Sequence, residues 1–159
     1  MRALLSKILR VGRVAEPAPP LPGGVPLRRE LTGSVQVRCV DAGSCNGCEI
    51  EIGQAFGPVY DADRYGARLV ASPRHADVLA VTGPVTRNMA TALRRTLNAT
   101  PEPRLVVAVG DCAIDCGEFA GGPGVQGPVD SVVPVDIAVP GCPPAPEAIV
   151  AALRRVTGR

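Results

Sequence analysis

Two short runs, "DVLAVTG" (77–83) and "PRLVVAVG" (103–110), constrain the fold most. Both are apolar nearly throughout, as strands buried on both faces of a parallel sheet are. "ARLVAS" (67–72) has the same character, and "SVQVRCV" (34–40) alternates as a strand does. "VVPVDIAVPG" (132–141) reads as the last strand, weakened early by Pro134. Between and after the strands lie helical patterns. "TRNMATALRRTLNAT" (86–100) puts Met89, Leu93 and Leu97 on one face, with Thr86 placed to cap it. "APEAIVAALRRV" (145–156) turns Ile149, Val150, Leu153 and Val156 inward. Strands alternating with helices predict an α/β domain, a parallel sheet with helices on both faces. The 159 residues suffice for one such core, and no internal repeat is visible.

The first 32 residues read differently from residues 33–159, which form the α/β domain. Leu4, Leu5, Ile8 and Leu9 share one helical face over residues 1–13, and Arg2, Lys7, Arg10 and Arg13 dominate the rest. This predicts a basic amphipathic helix, lying against a membrane surface or membrane subunit or packing on protein. "EPAPPLPGGVPL" (16–27) cannot continue a helix and reads as an extended arm. No stretch has the roughly 20 apolar residues of a membrane span. No export segment follows Arg28-Arg29, and the chain is expected in the cytoplasm. Net charge is only +2 and aromatic content 3%, without Trp, which argues against a nucleic-acid surface.

The six cysteines are Cys39, Cys45, Cys48, Cys112, Cys116 and Cys142. Cys45 and Cys48 form a C-x-x-C pair, which alone fits a redox dithiol, half a zinc site or half an iron–sulfur site. Placed on the predicted strands, Cys45 and Cys48 follow the first, Cys112 follows "LVVAVG", and Cys142 follows the last. All four sit beyond strand carboxyl ends, the edge where open α/β sheets bind ligands. A dithiol leaves Cys112 and Cys142 without a role. Structural zinc favours two close pairs, whereas a cubane [4Fe-4S] cluster accepts isolated ligands from separate loops. Glycines 43, 47, 110 and 141 flank the four and let backbone N–H groups approach sulfide.

"GSCNGCEIEI", "VLAVTGPVT", "VVAVGDCA" and "PGCPP", in that order, resemble the small, cluster-bearing subunit of energy-converting group 4 [NiFe] hydrogenases. Formate hydrogenlyase small subunits belong there, and the 20 kDa cluster subunit of respiratory complex I is related. The resemblance covers residues 30–155, and "ILRVGRVAEPAPP" is similar to that family's amino-terminal arm. It implies a flavodoxin-like domain carrying one [4Fe-4S] cluster on Cys45, Cys48, Cys112 and Cys142. It implies a large [NiFe]-type catalytic partner, a ferredoxin-like partner and membrane subunits met through the arm, on the inner face of the cell membrane. Complex I subunits carry adjacent cysteines at the first position. Here Asn46-Gly47 intervene, the hydrogenase-like pattern. The resemblance also gives Glu49 a role in proton transfer, although an acid there also suits a helix first turn. A complex I-like quinone oxidoreductase subunit and a structural zinc scaffold are the rival functions.

The remaining residues have simpler expectations. Cys39 is a core residue of its strand. Cys116, a helical turn beyond Cys112, is a buried thiol or lines the pocket. His75 is a surface residue and Glu51 a loop or partner contact. Asp111 caps a helix or bonds its loop, and "GGPGVQGP" (121–128) is a flexible loop.

Overall fold

The computed structural model describes residues 2–12 and 28–159. The expected arm over 16–27 lies outside the described residues. The ordered elements are α1 (Arg2–Val11), β1 (Val35–Asp41), α2 (Gly47–Ala55), β2 (Ala67–Leu69), β3 (Val78–Thr82), β4 (Val85–Thr86), α3 (Arg87–Ala99), β5 (Leu105–Val109), α4 (Asp111–Asp115), β6 (Val125–Gly127), β7 (Ile137–Val139) and α5 (Pro146–Thr157). Five strands pair in parallel in the order β2-β1-β3-β5-β7. That is the flavodoxin-like order, with the chain reversing direction across the sheet between β1 and β3.

Every position of β3 and β5 is buried, as their composition demands. Their side chains divide between two cores. Val78, Ala80, Leu105, Val107 and Val109 pack with Ile52 of α2 and with Ile149 and Leu153 of α5. Leu79, Val81, Val106 and Ala108 pack with Ala90 and Leu93 of α3 and Ala113 of α4. Helices thus cover both faces, as expected. In α5, Ile149, Val150, Leu153 and Val156 are all buried, and Pro146 starts the helix where its missing N–H costs nothing.

Two aspartates pin the entering ends of strand pairs. Asp77 donates its N–H to the Gln36 carbonyl at 2.8 Å, while its carboxylate accepts from the Gln36 N–H at 2.7 Å. Asp136 does the same to Val106, at 2.9 and 2.8 Å. The second clamp explains one departure from expectation. The strand expected over 132–141 is ordered only at Ile137–Val139. Pro134 has no N–H to give, and Asp136 spends its carboxylate on the neighbouring strand.

Other departures have equally local causes. The strand expected over 67–72 shrinks to Ala67–Leu69, an edge strand whose Leu69 is exposed. Thr86 stands at the start of α3 but makes no cap. Its hydroxyl instead donates to the Ala42 carbonyl at 3.1 Å, tying the β3–α3 junction to the end of β1. The loop expected over 121–128 contains β6, which pairs antiparallel with β4, Val85 opposite Gly127. Helix α1 forms as expected, with Leu4, Leu5, Ile8 and Leu9 exposed.

Leu93 has no solvent exposure and anchors α3 to the sheet. Leu93→Ala should therefore destabilise the chain by about 2–5 kcal/mol. The check is a shift of the urea midpoint at unchanged slope.

Candidate metal centre

The cysteine loops begin where the strands stop. At the end of β1, Asp41 Oδ1 accepts from the Gly43 and Ser44 N–H groups, at 2.8 and 2.7 Å, and turns the chain. Asn46 then adopts a left-handed conformation (φ 68°) and α2 starts at Gly47. Cys45 thus precedes the helix and Cys48 lies in its first turn. At the end of β5, Gly110 (φ 93°) redirects the chain into α4, with Cys112 in the first turn. After β7, the run Pro140-Gly141-Cys142-Pro143-Pro144 leads into α5.

These three loops enclose a cavity of about 130 Å³ lined by Cys45, Cys48, Cys112 and Cys142. Ser44, Gly83, Asp111 and Gly141 also line it. Cys48 and Cys112 are buried, while Cys45 and Cys142 are exposed at the rim. Burial, then Glu49, then the Cys112, Cys45 and Cys142 thiols push Cys48 up to about 11. Burial and then Cys142 and Cys45 raise Cys112 as well. Each of these two buried thiols therefore senses the rim thiols of Cys45 and Cys142. Among the described residues, no three His, Cys, Asp or Glu side chains are grouped closely enough to hold a single metal ion. A larger open groove lies where β5 and β7 begin, beside Arg28, Arg29 and Asp136, and no cysteine lines it.

Glu49 sits beside this cavity, in the first turn of α2. Its Oε1 accepts from the Ser44 hydroxyl at 2.7 Å and from the Thr82 hydroxyl at the end of β3. Its Oε2 is buried and has no hydrogen-bond partner. Ser44 Oγ in turn accepts from the Asn46 N–H at 3.0 Å. The carboxylate thus joins the C-x-x-C loop to β3. Glu51 is half-buried on α2 and does not line the cavity. Sequence reasoning missed Asp41, Ser44 and Thr82. Thr82 carried a readable signal, as the one hydroxyl closing the apolar run "VLAVT".

The other candidates separate from the site. Cys116 is buried at the end of α4, does not line the cavity, and is raised by burial, Asp115 and Asp130. Cys39 packs against the core from β1, and burial chiefly pushes it up to about 11. His75 is exposed in a short turn.

Gly110 leaves no room for a side chain beside the Cys48 thiol. A Cβ there would stand 2.5 Å from Cys48 Sγ and 3.4 Å from the Gly141 carbonyl. Gly110→Ala should therefore displace the Cys48 thiol and weaken iron retention by about 10–100-fold, the usual cost of disturbing a ligand's support. Gly53→Ala, with nothing within 4 Å of its added Cβ, is the control. Iron retained against a chelator after anaerobic reconstitution checks both.

Known proteins share this arrangement of chain. Residues 45–156 match the family described as NADH ubiquinone oxidoreductase, 20 Kd subunit. The probable membrane-bound hydrogenase subunit mbhJ of Pyrococcus furiosus is 50% identical over 111 residues, 70% of this chain and 66% of that subunit. Formate hydrogenlyase subunit 7 of Escherichia coli is 44% identical over 122 residues, 77% of this chain but 48% of that protein. The chain thus spans just under two thirds of the first of these relatives and about half of the second. Among solved structures, a chain of the membrane-bound sulfane sulfur reductase, an archaeal respiratory membrane complex, is similar with a TM-score of 0.70. That match is 29% identical and covers 80% of this chain and 70% of the other. A chain of an NAD+-reducing [NiFe]-hydrogenase shares the fold, with a TM-score of 0.58 at 22% identity over 73% of this chain and 86% of that one. The C-x-x-C loop, the helix after β5 and the loop after β7 all fall within the matched segment, and this chain belongs to the 20 kDa subunit family of the complex I and membrane-bound hydrogenase type.

Proposed function

We propose that this chain is an electron-relay subunit holding one [4Fe-4S] cluster on Cys45, Cys48, Cys112 and Cys142. Its partners would be a large [NiFe]-type catalytic subunit and a ferredoxin-like subunit, with electrons passing between them through this chain. The observation that carries the reading is the single cavity lined by four thiols from three separate strand-end loops. The donor set fits the group. Thiolates of a cubane bind different irons, so they ring a cavity, whereas one zinc ion draws all four to about 2.3 Å. The arrival of Cys112 and Cys142 singly from two further loops supports the cluster over zinc.

Bound there, the cluster would supply a one-electron redox centre. The chain's own residues supply the rest. Cys48 and Cys112 form a buried floor that excludes water, and the exposed Cys45 and Cys142 leave the rim open to a partner. The hydrogenase branch is favoured over a quinone oxidoreductase by the spaced C-x-x-C pair and by the relatives' names. Membrane attachment on the cytoplasmic side fits the same relatives. Among the described residues, no helix is long and apolar enough to cross a membrane. We assign the attachment to the exposed apolar face of α1 and to membrane subunits reached through the arm.

Glu49 is proposed to hold and move a proton at Oε2, the oxygen that neither Ser44 nor Thr82 occupies. Oε1 is committed to orienting the carboxylate, and a buried free oxygen next to it can exchange a proton with a partner group.

Single Ser replacements at Cys45, Cys48, Cys112 and Cys142 test the ligand set. Each should abolish or convert the broad absorbance at about 400 nm that iron–sulfur charge transfer gives. Cys39→Ser and Cys116→Ser should keep it. A colourless wild-type chain holding one zinc would sink the reading. Glu49→Gln should leave the spectrum intact but slow H/D exchange by the assembled complex by about 10²–10⁴-fold. Wild-type exchange would reduce Glu49 to a brace between α2 and β3.

A further inference from the structure

The aspartate clamp seen at Asp77 and Asp136 occurs a third time, at the opposite end of the sheet. Asp111 donates its N–H to the Gly141 carbonyl at 3.0 Å, and its Oδ1 accepts from the Gly141 N–H at 2.7 Å. Asp111 immediately precedes Cys112, and Gly141 immediately precedes Cys142. The clamp therefore joins the residues that introduce two thiols from different loops.

The local chemistry explains why a side chain is needed here. The β5–β7 ladder ends with Val109 beside Val139, and Gly110 still donates to the Val139 carbonyl at 2.8 Å. Pro140 comes next and has no N–H, so the ladder cannot continue through it. The first N–H beyond is that of Gly141, where φ is 135° and an added Cβ would stand 2.6 Å from Pro144 Cα. The chain turns sharply there without a backbone acceptor for that N–H. The Asp111 carboxylate supplies one, and a charged acceptor bonds more strongly than a neutral one. Asp111 also lines the thiol cavity.

We infer that Asp111 is a positioning residue: it fixes the Cys142 loop against the start of α4, so that the Cys142 and Cys112 thiols face one cavity. The inference rests on the cluster reading above. Asp111 additionally places a negative charge on the cavity wall, and charge near an iron–sulfur cluster is one of the determinants of its potential.

The full chain carrying Asp111→Ala, Asp111→Asn or Asp136→Ala tests this. Each variant is reconstituted anaerobically with ferrous iron and sulfide, challenged with a chelator and titrated for its midpoint potential. The metal-free forms are melted in parallel. Asp111→Ala should release iron to about 10–100-fold less chelator than wild type, the usual effect of removing a ligand's support. Asp111→Asn keeps a neutral oxygen acceptor at the same place, so it should retain iron better than Asp111→Ala does, with its potential shifted upward. Asp136→Ala removes the same clamp at the far end, and should lower the melting temperature while leaving iron retention unchanged. Wild-type retention in Asp111→Ala overturns the inference. Equal loss in Asp136→Ala does so too, by making the clamp a matter of general stability. Loss in Asp111→Asn matching that in Asp111→Ala would show that the hydrogen bond is not what matters. A wild-type chain that binds no iron fails at the earlier step and removes the cluster reading with it.

Discussion

Strands β3 and β5 have no position that faces water, and the rest of the molecule is arranged around that fact. A sheet buried on both faces must be covered twice, by α2 and α5 on one side and by α3 and α4 on the other. Covering helices require crossovers, crossovers keep the strands parallel, and parallel strands all end on the same edge. Three of those ends carry the cysteines. Strand pairing brings the loops of Cys48, Cys112 and Cys142 to one edge from segments far apart in sequence, and side-chain contacts such as that of Asp111 with Gly141 fix them there. The core thus determines where the thiols can meet.

Convergence of thiols carries an electrostatic cost, and it is visible at the two buried ones. Cys48 and Cys112 are both raised by burial and by their neighbours. A metal bound by these two as thiolates would have to displace their protons, so its binding would weaken as pH falls. Glu49 adds to the same repulsion at Cys48. Ser44 and Thr82 hold that carboxylate in place against the repulsion by bonding its Oε1.

Much of this was legible in the residues. The apolar runs at 77–83 and 103–110 marked the central strands, and the four strand-end cysteines marked the cavity. The helices with one apolar face, such as that carrying Ile149, Leu153 and Val156, were equally plain. What escaped notice were contacts made by single polar atoms across distant segments. Thr86 was read as a cap because its position suited one, yet the Ala42 carbonyl was the nearer partner. Asp136 looked like part of a strand, and its side chain in fact ends one. The 121–128 segment looked shapeless because β6 has only three residues and no pattern that a period could reveal. Such features are fixed by tertiary placement, which a local window of sequence does not contain.

The outer strands have a further consequence. β7 is three residues long, follows Pro134 and is closed by Pro140, and β2 at the other edge is equally short. A neighbouring chain finds few unpaired N–H groups along either border, so sheets of separate molecules have little with which to zip together. Clipped borders, one of them closed by proline, leave association to surfaces other than the sheet's own hydrogen bonds.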